Sequence, residues 1–168
     1  VTDEPVSLGR LRLRERLRGR SVPEVIGMLG PALAMLWAGI AIAGNVIAAG
    51  SKFTTDVPRE DLLAVGVEQF TWAGYAEWAL AAVWCVGLWN ARRSRVLWVL
   101  AAPVVLLAVQ KLGVYPPLNA RTMATIAGES TGDSPLHAIY AALEGVKIAL
   151  LVAIGVVGSI LHSAPRRD

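Results

Sequence analysis

Glu144 and Lys147 lie near the middle of a long apolar stretch, Leu136 to Leu161, with Tyr140 one helical turn before Glu144 and His137 a further turn back. At about 100 degrees per residue the four side chains fall within an arc of about 80 degrees, and Leu151, Gly155, Gly158 and His162 continue the same stripe. An ionisable group at the centre of a membrane helix costs about 2.5–3.5 kcal/mol on insertion scales, so residues of this kind usually line a pathway or a ligand site. A second acid, Glu77, is the only one inside the apolar stretch Phe70 to Trp89. With about 1.5 Å of rise per residue, Glu77 sits about 10 Å below Phe70 and Glu144 about 12 Å below Leu136, at one depth if both helices run inward from the outer face. The expected site is an outer-half cavity of Glu77, His137, Tyr140, Glu144 and Lys147, with Asn45, Lys52, Gln110, Lys111 and Arg121 at its rim.

Several chemistries suit that set. His137 and Tyr140 are hydrogen-bond partners for a carbonyl or hydroxyl group, and Glu144 or Glu77 can move protons, as a quinone-like redox site requires. A metal would take His137, Glu77 and Glu144, but only one histidine lies at that depth and the Glu-x-x-His pairs of di-metal bundles do not occur, which disfavours a metal. Ion or solute transport would use the same acids and would require an oligomer to form a path. The non-chemical alternative is an ion pair that ties helices together, with Lys147 neutralising Glu144 or, across the interface, Glu77. No nucleotide-binding loop, nucleophile elbow or zinc-protease signature occurs.

The chain that must position these residues has 168 of them, is 55% hydrophobic and only 17% charged, and has a mean hydropathy of +0.52, which is too apolar for an ordinary soluble domain. Four stretches approach or exceed the roughly 20 residues needed to cross the hydrocarbon core: about 25–49, 70–89, 96–114 and 136–161. Arg10, Arg12, Arg14, Arg16, Arg18 and Arg20 precede the first, Arg92, Arg93 and Arg95 join the second to the third, and Arg166 and Arg167 follow the fourth. The positive-inside rule puts all of them in the cytoplasm, with both termini. The expected organisation is a basic juxtamembrane arm over 1–22, an all-α four-helix transmembrane domain over 23–162 and a cytoplasmic tail over 163–168, in the inner (plasma) membrane. The arginines of the arm alternate with Leu8, Leu11, Leu13 and Leu17 and suit anionic lipid headgroups. No nucleic-acid reader motif accompanies them, so nucleic acid is not an expected partner. The single Cys85 excludes an intrachain disulfide.

Local signals sharpen the elements. Pro23 suits a first helical turn, and Gly27, Gly30, Ala34, Ala38 and Ala41 form a small-residue stripe that admits a close neighbour. Pro58 followed by Arg59, Glu60 and Asp61 predicts a helix start outside the bilayer, running without a breaker into the second span. The buried stripe of that helix is Phe70, Gly74, Glu77, Ala81, Trp84 and Leu88. Lys111 is expected to snorkel to the outer surface as an anchor, and Pro116 and Pro117 to open a short interfacial helix. Ser134 and Pro135 cap the fourth span. A helical-hairpin duplication is suggested by Lys52 and Pro58 recurring as Lys111 and Pro117.

The run Lys52, Phe53, Val57, Leu62, Gly66, Phe70 and Glu77, then Pro117, Leu118, Arg121, Ile126, Ala127 and Gly128, then Ser134, His137, Tyr140, Glu144 and Lys147, resembles small bacterial four-span proteins of unknown function, the DUF4149 and transmembrane protein 205-like group. Gly50, Lys52 and Glu77 are similar to DoxX-like four-helix membrane proteins, a resemblance that implies a quinone-linked redox role, although the pattern from His137 to Lys147 departs from theirs. The expected function is binding of a small polar or amphipathic molecule of the quinone or lipid-headgroup class, with redox or proton transfer as its candidate chemistry. A non-catalytic accessory or assembly subunit of a larger membrane complex is the alternative, and an oligomeric transporter the third. Expected partners are membrane lipids, other membrane subunits or further copies of the chain.

Overall fold

The computed structural model describes residue 19, residues 21–52, residue 54 and residues 56–163. The arginine arm up to Arg20, Phe53 and the tail arginines Arg166 and Arg167 lie outside the described residues. Five helices and no strands are found among the described residues: α1 (Val22–Met28), α2 (Gly30–Lys52), α3 (Arg59–Leu88), α4 (Leu97–Ile126) and α5 (Leu136–Ser163). Three of them, α2, α4 and α5, are long and apolar enough to cross a membrane. The fourth expected span lies in α3, which at 30 residues is as long but less apolar, because Trp72, Tyr75, Glu77, Trp78 and Trp84 stand where the others carry aliphatic residues.

Local chemistry sets the ends. Glu24 reaches back to accept from the Ser21 N–H at 2.8 Å, a capping-box contact that starts α1 with Pro23 in its first turn. The first expected span, 25–49, is broken: α1 stops at Leu29, and Pro31 in the opening turn of α2 restarts the chain. Pro58 does precede α3, which runs unbroken through its acidic first turn to Leu88. The expected separate interfacial helix after residue 114 does not form as such. A π-helical turn, Val109–Val114, leads straight into Tyr115–Ile126, and Pro116 and Pro117 occupy the first turn of that segment. Proline's fixed φ suits a helical turn and no residue separates that segment from the π turn, so α4 continues.

The four long helices pack as a ring in the order α2, α3, α4, α5, with the α2–α5 seam the most extensive. Ala34, Ala38 and Ala41 are buried on α2, as their stripe predicts, and Gly74, Glu77, Ala81 and Trp84 are the buried residues of α3. The apolar core is Trp37, Trp84, Leu107 and Leu151 with Ala34, Ala38 and Ala81, and Trp37 meets Trp84 edge to face at 6.4 Å.

A duplication is visible in the element bounds, in a register different from the one Lys52 and Lys111 suggest. Each half has a 12-residue α-helix, Gly30–Ala41 or Leu97–Ala108, followed by a six-residue π-helical turn, Ile42–Ile47 or Val109–Val114. Corresponding positions differ by 67, and so do Glu77 and Glu144. Lysine and proline spacing gave 59 because those residues do not correspond: Lys111 lies within its π turn, whereas Lys52 follows the other.

Candidate functional site

Both π turns carry polar side chains of the cluster. Gln110 and Lys111, consecutive in the π turn of α4, are both buried. The matching turn of α2 aims Asn45 at the same centre, and the Gln69 side-chain amide donates to the Gly44 carbonyl within it. Carboxamides from one diagonal of the ring, α2 and α4, thus meet charges from the other, α3 and α5.

Glu77, Gln110 and Lys147 are each 0% exposed and Glu144 is 3% exposed, so the cluster is fully desolvated. Lys147 Nζ donates to Glu77 Oε2 and lies 3.0 Å from Glu144 Oε2, bridging both acids. Asn45 Nδ2 donates to Glu77 Oε1 and to Glu144 Oε1, at 3.1 Å in each case. Gln110 Nε2 donates to Glu144 Oε2 at 2.9 Å and Trp37 Nε1 to Glu77 Oε2 at 3.0 Å. Every carboxylate oxygen therefore has a donor. Such saturation is what makes a buried ionic group tolerable in a low dielectric. Replacing Trp37 with Phe keeps the edge-to-face packing and removes one charged hydrogen bond, with an expected loss of about 1.5 kcal/mol in an unfolding titration.

The expected cluster is largely assembled, with roles exchanged. Asn45 and Gln110, expected at the rim, are at the centre, and Glu77 meets both Glu144 and Lys147. His137 is exposed and forms no hydrogen bond to either acid; it has the expected bearing but stands in the first turn of α5, too near the helix end to reach them. Lys111 is not a surface anchor. It is buried, donates to the Phe70 carbonyl at 3.3 Å and lies over the rings of Tyr115 and Tyr140. Arg121 does not line the cavity; its guanidinium donates to the Thr131 and Gly132 carbonyls and ties down the turn before α5. Trp37 escaped sequence reasoning, because a tryptophan among alanines carries no sign of the acid it will meet across a helix interface.

Above the cluster opens a cavity of about 490 Å³, bounded by all four long helices. Glu144, Asn45, Tyr140, Lys52 and His137 are on its wall, and Val46, Leu63, Val67, Phe70 and Leu118 make it mostly apolar. Among the described residues, three buried polar atoms of its lining residues find no hydrogen-bond partner: Tyr140 Oη, Asn45 Oδ1 and Asn119 Oδ1. No three His, Cys, Asp or Glu side chains converge among the described residues, so the metal set of His137, Glu77 and Glu144 is not assembled.

The fold and the site together define a helical membrane protein with a charge-saturated polar centre beneath an amphipathic cavity. No protein-family model, no curated protein and no solved structure matches the chain.

Proposed function

We propose that this chain crosses the membrane four times, with α3 as the fourth span, and binds a small amphipathic molecule in the cavity of its outer half. Charge segregation supports the orientation. Arg92, Arg93 and Arg95 are clustered and exposed between α3 and α4 at one end of the ring, whereas the other end mixes Lys52, Arg59 and Arg121 with Asp56, Glu60, Asp61, Glu129 and Asp133, so the positive-inside rule puts the arginine cluster on the cytoplasmic side. Both ends of the described chain fall on the arginine side. Lipid contact is supported by burial: only 17–22% of the apolar windows of α2, α4 and α5 is buried, so most of their surface requires acyl chains or partner helices.

The observation that carries the binding reading is the set of unpartnered atoms at the cavity. Buried polar groups are nearly always hydrogen-bonded, and Tyr140 and Asn45, both on the wall of this mostly apolar space, each bury a polar atom with no partner among the described residues, which supports placing a ligand's polar end beside them. A quinone or a lipid headgroup fits that amphipathic character, and Glu144, on the cavity wall and in the ion-pair network at once, is the group placed to exchange a proton with it.

Native mass spectrometry from mild detergent tests this reading. Wild type is expected to retain a small molecule, and Glu144→Gln to lose it while staying folded, because Lys147 keeps Glu77 as its partner. A folded wild type that carries nothing refutes the binding reading. A stoichiometric protein partner in its place, with Glu144→Gln abolishing folding, establishes the accessory-subunit alternative.

A further inference from the structure

A second cavity, of about 430 Å³, lies at the opposite end of the ring from the first and has the size of a small-molecule site. Pro31 of α2, Trp84 of α3, Leu100 of α4 and Ile154 of α5 are on its wall. Beside it α1 packs over the end of α3, so closely that a Cβ on Gly87 would lie 3.0 Å from Ile26 Cγ2. Trp84 and His162 are the two lining residues whose side chains carry polar atoms. Trp84 Nε1 donates to the Leu100 carbonyl at 2.7 Å and His162 Nδ1 to the Gly158 carbonyl at 2.9 Å. The rest of the wall is aliphatic or glycine, so the occupant it suits is hydrocarbon.

The cavity is open to the outside. Val96, Val99, Val157 and Leu161 line it and are each more than half exposed, which leaves a gap between the start of α4 and the end of α5. In a bilayer that gap faces the acyl chains of one leaflet, and the exposed Trp98 beside it suits the headgroup level.

Charge specifies the polar end of the occupant. The seven residues that join Leu88 to Val96, both on the wall, include Arg92, Arg93 and Arg95, all exposed. Arg92 is turned onto its own loop: its guanidinium donates to the Trp89 carbonyl and lies 4.5 Å from the Trp89 ring centroid. Arg93 and Arg95 form no ion pair with another described residue. Glu24 is the only acid at this end among the described residues, and it accepts from the Ser21 N–H. A basic loop beside the mouth of a hydrocarbon-lined cavity complements an anionic lipid. The chain's own arm would bring six further arginines to these three, so repulsion of like charge favours the lipid over the arm.

We propose that this cavity seats one acyl chain of an anionic phospholipid whose headgroup is held by Arg93 and Arg95 at the membrane surface. The site is separate from the outer cavity and stands whether or not that cavity binds a ligand.

The test titrates the detergent-purified full chain with dioleoyl phosphatidylglycerol and dioleoyl phosphatidylcholine, which share their acyl chains and differ in headgroup charge, and counts bound lipid by native mass spectrometry. Phosphatidylglycerol is expected to bind at least about tenfold more tightly, given about fivefold for each arginine near the headgroup. Arg93→Gln combined with Arg95→Gln should erase that preference. Ala153→Phe, which fills the cavity from its α5 wall, should weaken binding of both lipids severalfold. If Ala153→Phe lowers the unfolding midpoint, Leu161→Trp at the exposed rim replaces it. Equal affinity for the two lipids overturns the proposal, as does a preference that survives the double arginine change. Phosphatidylglycerol binding that ignores the cavity-filling change also overturns it and leaves only a basic surface. Binding of neither lipid overturns it in favour of the arm or a second copy of the chain.

Discussion

Lys147→Met is expected to be the most damaging single substitution at the polar centre, at about 3–5 kcal/mol. The change keeps length and adds no bulk, so the packing of this buried side chain hardly alters. What changes is charge: Glu77 and Glu144 would stay buried with no cation between them, and two carboxylates joined by one asparagine amide repel in a low dielectric. Removing one partner of a buried ion pair costs far more than removing the whole pair. Adding Glu77→Gln and Glu144→Gln to Lys147→Met should therefore recover most of the loss, and folding titrations of the single and triple variants measure the difference. A Lys147→Met protein as stable as wild type would show that the network contributes nothing to the fold. Failure of the triple variant to recover would show that Lys147 acts by something other than charge.

A comparable loss is expected at the α2–α5 seam. A Cβ on Gly158 would lie 2.7 Å from Pro31 Cγ, and one on Gly155 2.6 Å from Met35 Cγ and Sδ and 3.2 Å from the Pro31 carbonyl. Met35 is a flexible side chain that can swing aside, whereas the Pro31 ring is held by its own backbone. Gly158→Leu should consequently separate the two helices and cost about 3 kcal/mol, with Gly155→Leu smaller. Gly39→Leu is the control, since nothing lies within 4 Å of its Cβ position. Thermal unfolding in detergent reads all three. If Gly158→Leu and Gly39→Leu melt together, the seam is not closely packed there.

The same seam shows what small-residue spacing reveals. Ala34, Ala38 and Ala41 announced a close helix contact, but not that the partner would be α5, nor that Pro31 would set the distance. The stripes of α3 and α5 were likewise legible, because a 3.6-residue period with acids on the apolar face leaves only one inward direction. That period broke down where the helix itself changed. Lys111 read as a surface anchor from its place at the outer end of its span, whereas it lies inside, in the π turn beside the buried Gln110. No residue type is reserved for π turns, so the position of Asn45 was equally hidden.

Membrane residence, helical class and the approach of Glu77 to Glu144 follow from composition, periodicity and rise per residue, quantities that belong to each segment separately. Tertiary structure alone decided that Lys147 bridges both acids, that His137 stays outside while Asn45 and Gln110 enter, and that the two halves repeat at 67 residues through their π turns. Those outcomes depend on where one helix meets another. Buried carboxylates take whichever donors the neighbouring backbones bring within reach, and a single chain segment carries no record of its neighbours.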